Sequence, residues 1–217
     1  MFEFVLFESG LERAVTAMVR SGFYSASDVA AFFREIAIDD PDAGLDPNTV
    51  DGEVRQITAV ATDALATDAA GWPEKTDNDK LTAAFQRLNE TGIRAVENYG
   101  YEASDCGELY REIRGDPQWR GYCFYHSQDL VRAVLYDDLG IRFSAAVDEP
   151  TDDDNRDVGR AVVEAMSEEG LQPDWASDPH RAISLVLQWQ RRPVAGKEHR
   201  DPVVGPDPNS KPWWKLW

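Results

Sequence analysis

His126, Gln128 and Asp129 fall within one short run, Phe124-Tyr125-His126-Ser127-Gln128-Asp129. An imidazole beside a carboxylate is the pairing that general acid–base chemistry uses, with the acid orienting the base. On that reading His126 is a base, Asp129 its orienting partner, and Gln128 a polar contact for a ligand. The competing reading is local and structural. Ser127 caps a helix, Asp129 complements the helix dipole, and His126 bonds a nearby carbonyl. No nucleophile accompanies the group. A Gly-x-Ser-x-Gly elbow, a glycine-rich phosphate loop and a Ser-His-Asp spacing are all missing from the sequence. The sequence therefore assigns no catalytic residue outright. It keeps His126 and Asp129 as the catalytic alternative, and His126, Gln128 and Asp129 as ligand-binding candidates.

Other reactive residues are weaker candidates. Cys123 and His126 stand three apart, but on a strand that spacing sends side chains to opposite faces. No second pair at ligand spacing supports zinc, so no metal and no cofactor is expected. Cys106 is the second of two cysteines, too few for a disulfide framework. Asp77 and Asp79 could act as paired acids, but their place at a helix start explains them without catalysis, and that is the reading adopted. The run 148–157, DEPTDDDNRD, reads as a solvated loop; it lacks the ligand offsets and glycine turn of a calcium loop. His180 and His199 are isolated and read as solvated. Trp72, Trp119, Trp175 and Trp189 fall in or beside regular elements and read as core.

The end of the chain, SKPWWKLW, carries Lys211, Trp213, Trp214, Lys215 and Trp217 without an acid. Five of the twelve prolines lie from residue 193 onward, so no long helix runs into this tip. Tryptophan is enriched in binding hot spots, and lysines favour an anionic target. The tip reads as a tethered docking peptide, for a protein partner ahead of an anionic membrane surface.

The elements that must hold these residues follow from periodicity. Leu11, Ala14, Val15, Met18 and Val19 repeat at helical spacing up to Ser21-Gly22. Val29, Phe32, Phe33 and Ile36 do the same, with Ser25 and Asp28 as a capping-box variant. A third helix spans about 52–69. Helices are then expected over the Leu81, Ala84, Phe85, Leu88 stripe and over 107–113, 127–135 and 157–170. Strands are expected at 93–99, 121–126, 140–147, 171–175 and 182–189. Ile141, Phe143, Ala145 and Val147 alternate with Arg142 and Ser144. Ile183, Leu185, Leu187 and Trp189 alternate with Ser184 and Gln188. Strands buried on both faces would be continuously apolar. The expected fold is thus α+β: a helical N-terminal subdomain, then a mixed, about five-stranded sheet with helices mainly on one face. The boundaries are 1–70 for the helical part, 71–192 for the α+β domain and 193–217 for an extended tail.

Composition narrows the partners. Forty acids face 22 bases, giving a net charge of -18. Such a surface repels phosphate backbones and argues against nucleic acid. At 42 % hydrophobic the chain can still build a core. No apolar run approaches a membrane span. The start, MFEFVLFESG, has acids where a secretory leader has bases, so the expected compartment is the cytoplasm.

Two segments also carry a resemblance. Trp72 to Tyr99, WPEKTDNDKLTAAFQRLNETGIRAVENY, is similar to the signature of a bacterial family of unknown function: a Trp-Pro-x-x-Thr-Asp segment leading into an Ala-Phe helix and a Gly-Ile strand. Gly121 to Val134, GYCFYHSQDLVRAV, matches that family's aromatic-His-x-Gln-Asp segment. Asp174-Trp175 and the Trp-x-Arg-Arg of Trp189 to Arg192 fit as well, so the resemblance spans about 72–192. Relatives carry a cysteine cluster after the Asn-aromatic pair, where this chain has NYGYEASDCG and Cys106 alone. A metal or redox role for such a cluster does not carry over. The resemblance implies an uncharacterised cytosolic protein and supplies no reaction.

Three functions remain. The first is a non-enzymatic binding or regulatory protein docking a partner through its C-terminal tip. The second is an enzyme of unknown type, with a hydrolase as one option, using His126 and Asp129. The third is an immunity-like protein whose acidic surface matches a basic toxin.

Overall fold

The computed structural model describes residues 2–100 and 106–192. These residues form two compact units, one of residues 2–74 and 190–192, the other of residues 75–100 and 106–189.

The first unit is helical. Its elements are α1 (Phe2–Ser9), α2 (Leu11–Ser21), α3 (Ala26–Asp39), a single 3-10 turn (Pro41–Ala43) and α4 (Val50–Ala69). Val15, Met18, Val29, Phe33, Val54 and Leu65 are buried and form its core. The expected stripes are the ones that face inward. α2 stops where the sequence places its stop: Gly22 takes the left-handed conformation at φ 76° and its N–H returns to the Val19 carbonyl. Ser25 and Asp28 form the expected capping box. α1 was not anticipated. Its apolar residues run consecutively from Phe4 to Phe7 between Glu3 and Glu8, so the sequence shows no helical stripe, yet it buries Val5 and Leu6.

The second unit is a sheet with helices. In chain order it runs α5 (Asp77–Glu90), β1 (Ile93–Val96), α6 (Cys106–Ile113), β2 (Gly121–Phe124), α7 (Ser127–Tyr136), β3 (Asp138–Ala145), α8 (Asp152–Glu168), β4 (Pro173–Asp174) and β5 (Ile183–Val186). The five strands lie in the order β1-β2-β3-β5-β4. β1 and β2 are parallel and every other pairing is antiparallel. The sheet is therefore mixed, and the class is α+β.

Alternation sorts the two faces. Gly121, Cys123, Phe143 and Ala145 are cross-strand partners on one face, and α8 lies there. It comes so close that a Cβ at Gly159 would meet the Trp175 ring at 2.5 Å. Phe143 and Trp175 rings pack edge to face at 5.3 Å. Ile183, Leu185, Leu187 and Trp189 are all buried, while Ser184 is half-buried and Gln188 exposed. The opposite face carries Tyr122, Phe124, Arg142 and Ser144. Leu109 and Ile113 of α6 pack on its Tyr122 and Phe124. The first turn of α7 reaches the same face at Gly140. The two long helices α5 and α8 thus pack together on one face, as expected, and the shorter α6 and α7 cover part of the other.

Element ends differ from the expectations. Strands expected to Tyr99 and His126 end at Val96 and Phe124, and the one expected over 171–175 shrinks to Pro173–Asp174. Val147, placed on a buried face by alternation, lies beyond the strand and is 46 % exposed. The largest shift concerns the acidic run. Its second half is the start of α8, with Thr151 and Asp154 forming a capping box and three aspartates in the first turn. Acids are stabilised at that end of a helix, so the charge run is a helix-start signal.

Candidate functional site

β2 ends at Phe124, and the chain turns into α7 through His126. The residue that caps α7 is His126 itself, which corrects the expectation for Ser127. His126 Nδ1 accepts the Asp129 N–H at 3.2 Å, and an Asp129 carboxylate oxygen accepts the His126 N–H at 3.4 Å. This is a capping box with imidazole in the place of a hydroxyl. Ser127 instead donates its hydroxyl to the Gly100 carbonyl at 2.8 Å.

The other ring nitrogen meets two groups. Arg142 donates its Nε–H to His126 Nε2 at 2.9 Å. Asp129 Oδ2 lies 3.1 Å from the same Nε2 and 3.5 Å from Arg142 Nε. A neutral imidazole accepts at one of its two nitrogens, so the Asp129 N–H at Nδ1 and the Arg142 N–H at Nε2 compete for one lone pair. Imidazole, carboxylate and guanidinium thus form one buried cluster.

His126 is 2 % exposed and Asp129 3 %. Burial pushes the Asp129 carboxyl up to about 6, against the pull of the Arg142 charge and the His126 N–H; Arg132 lowers it further and Asp138 raises it. The space for the carboxylate comes from Gly140 on β3, where a Cβ would stand 2.9 Å from Asp129 Oδ1.

Arg142 connects this buried box to the surface. Its Nε faces inward, and its side chain is 36 % exposed. It borders a cleft of about 250 Å³ lined by Tyr122, Phe124, Arg142, Ser144 and the segment Pro179 to Ala182. Tyr122 pairs with Ser144 and Phe124 with Arg142 in the β2–β3 register. These four side chains therefore share a face and form the floor. The rim is the turn before β5. Asp178 holds it, its carbonyl accepting from Trp175 Nε1 at 2.9 Å and from the Arg181 N–H at 3.2 Å. Its carboxylate accepts the His180 N–H at 3.0 Å.

Among the residues named from the sequence, His126 and Asp129 are brought together, while Gln128 on the same turn is half-buried. Asp79 forms a capping box with Thr76, and Asp77 holds Lys80 at 2.8 Å and the Gln188 N–H at 3.2 Å. Cys123 is fully buried, and burial pushes its thiol well up, away from the thiolate. His180 is exposed and lies 3.3 Å from Asp152. Among the described residues no cluster of three His, Cys, Asp or Glu could hold a metal ion, and no helix is long and apolar enough to cross a membrane. His199 and the tip residues Lys211, Trp213, Trp214, Lys215 and Trp217 lie outside the described residues.

Sequence reasoning missed Arg142 and Arg181 as site residues. Arg142 appeared only as a polar position in an alternating strand. Its neighbourhood depends on β3 pairing with β2 and on α7 folding back, neither of which is a local property.

No curated protein and no solved structure matches the chain. A family model matches it over residues 7–193, and the chain belongs to that family, described as a domain of unknown function, DUF6891.

Proposed function

We propose that the protein is a non-enzymatic binding protein whose ligand site is the cleft over Arg142. One observation carries this reading. The Arg142 Nε–H is held from behind by His126 Nε2, with Asp129 beside it, while among the described residues the terminal nitrogens of the same guanidinium make no hydrogen bond or ion pair. A polar fork held rigid at the wall of a cleft is what a binding site needs.

The alternative of a hydrolase requires His126 to exchange a proton with a substrate. Its Nδ1 is occupied by the helix cap, its Nε2 faces Asp129 and Arg142, and the ring is 2 % exposed. Those commitments favour His126 as a positioning residue for Asp129 and through it for Arg142. Docking of a partner through the tryptophan-rich tip is a separate proposal, supported by composition: three of seven tryptophans and two lysines in the last eight residues.

Two screens test the reading. In the first, ester, amide and phosphoester substrates are incubated with the protein and with His126→Asn. Turnover by the wild type that the variant loses would overturn it. In the second, a small-molecule library is scored by thermal shift against the wild type and against Ser144→Trp, which fills the cleft. Ligands that stabilise the wild type but not the filled variant are the expected result.

A further inference from the structure

We infer that the cleft takes a small oxyanion, a carboxylate or phosphate monoester attached to a flat apolar group, gripped by the terminal guanidinium nitrogens of Arg142. This rests on the binding reading above and adds the chemical class of the ligand.

The first argument is the lining. Among the described residues, Arg142, Arg181 and His180 border the cleft and no acid does. The chain carries 40 acids against 22 bases, so a cleft whose described charged residues are all basic departs from that balance. Each of these bases has an acid beside it that is not part of the lining. Asp129 approaches Arg142 on its Nε side, Asp178 is 4.0 Å from Arg181 Nε, and Asp152 is 3.3 Å from His180 Nε2.

The second argument is shape. A guanidinium offers a planar fork of two parallel N–H donors that matches the two oxygens of a carboxylate or phosphate. With Nε–H donated to His126 Nε2, the fork left over for a ligand is the terminal pair. Ser144 Oγ, 3.0 Å from Asn155 Oδ1, stands on the same face.

The third argument is what surrounds the charge. Tyr122 is 6 % exposed and Phe124 fully buried, so the floor beside Arg142 is aromatic. Pro179 and Ala182 add apolar contacts at the rim. A cleft of about 250 Å³ is smaller than the sites that enclose drug-sized ligands, roughly 300–1,000 Å³. The occupant is therefore compact, one anionic group and one ring. The net charge of -18 repels extended polyanions far more than a single small anion, which separates this ligand from a nucleic acid.

The test uses the full chain and three probes of one shape: benzoate, phenyl phosphate and the neutral benzamide. Binding is followed by amide chemical shifts at Tyr122, Arg142, Ser144 and Ala182. Benzoate or phenyl phosphate is expected to move these signals, and which of the two binds tighter identifies the oxyanion. Benzamide should bind about tenfold more weakly or worse, because it lacks the charge-assisted bonds. Arg142→Gln should lose about tenfold in affinity and Arg142→Lys less. Arg181→Gln, on an 80 % exposed side chain outside the buried brace, supplies a variant that leaves the box intact and should weaken the anions severalfold. Equal binding of benzamide and benzoate would overturn the oxyanion and leave the binding reading standing. If neither anion moves these signals, the oxyanion proposal fails. If neutral fragments also leave them unmoved, the binding reading fails with it.

Discussion

His126 and Asp129 cap the same helix from opposite directions, imidazole nitrogen to backbone N–H one way and carboxylate to backbone N–H the other. The arrangement satisfies two of the free N–H groups at the start of α7 and buries both side chains. It also leaves the His126 Nε2 turned to Arg142, whose Nε–H it accepts at 2.9 Å, with the Asp129 carboxylate beside both.

Replacing His126 separates its roles. His126→Ala removes the cap, worth about 1 kcal/mol, and the acceptor of the inward-facing Arg142 N–H, worth about 1–3 kcal/mol. The expected loss is about 2–4 kcal/mol in denaturant unfolding. His126→Asn keeps an acceptor for the Asp129 N–H and should recover the cap portion. An alanine variant as stable as the wild type would show that the box does not hold the helix start.

Gly140 is a second handle on the same box. A methyl group there would stand 2.9 Å from Asp129 Oδ1, closer than any real contact, and the opposing atom belongs to a short buried side chain. Gly140→Ala should cost about 1–3 kcal/mol, the usual penalty for overpacking. It should also disturb the Arg142 signals in an NMR spectrum. Full stability with unchanged Arg142 signals would mean that the carboxylate has room to move.

Local signals were legible in the sequence and non-local ones were not. The stop at Gly22, the capping box of Ser25 and Asp28 and the buried set Ile183, Leu185, Leu187 and Trp189 all follow from short-range spacing. The strand–helix passage at His126 was legible for the same reason. α1 escaped because its apolar residues run consecutively between two glutamates and form no stripe at helical spacing. The start of α8 escaped because aspartates that favour a helix N-terminus look the same as a solvated loop. Arg142 escaped because its role depends on cross-strand register: Phe124 beside it, Asp129 behind it and the Asp178 turn across the cleft. No single-residue pattern encodes those three neighbours.

The tip at residues 210–217 yields a prediction from sequence alone. A segment of this length is too short to form a stable helix by itself. If it serves as a docking peptide, its deletion leaves the melting temperature unchanged in calorimetry. A fall of several degrees would place its tryptophans in the protein's own core.

Asp129 gives stability a specific pH dependence. Burial raises its carboxyl from 3.8 to about 6 in the folded state, so the fold binds this proton more tightly than the unfolded chain does. The stabilising contribution is therefore fully present below about pH 3.8 and is lost as pH rises through about 6. A shift of this size corresponds to something on the order of 3 kcal/mol between those limits. The groups facing the carboxylate are His126 at the cap, Arg142 and Asp138 on β3, and Arg132 on α7. Many other acids titrate in the same window, so the quantity to measure is the difference between wild type and Asp129→Asn. Asparagine can accept the His126 N–H and cannot ionise. The variant should match the wild type near pH 3.5 and become progressively more stable than it towards pH 7. The same protonation acts on Arg142. Below about pH 6 the guanidinium loses the negative charge behind it, so its attraction for an anion in the cleft rises. Benzoate affinity should increase on acidification from pH 7 to pH 5. The increase should shrink in Asp129→Asn, with both proteins carrying His180→Gln to remove the rim histidine. A stability difference that does not change with pH would show that Asp129 stays ionised throughout, and with it the proton link between the buried box and the cleft would fall.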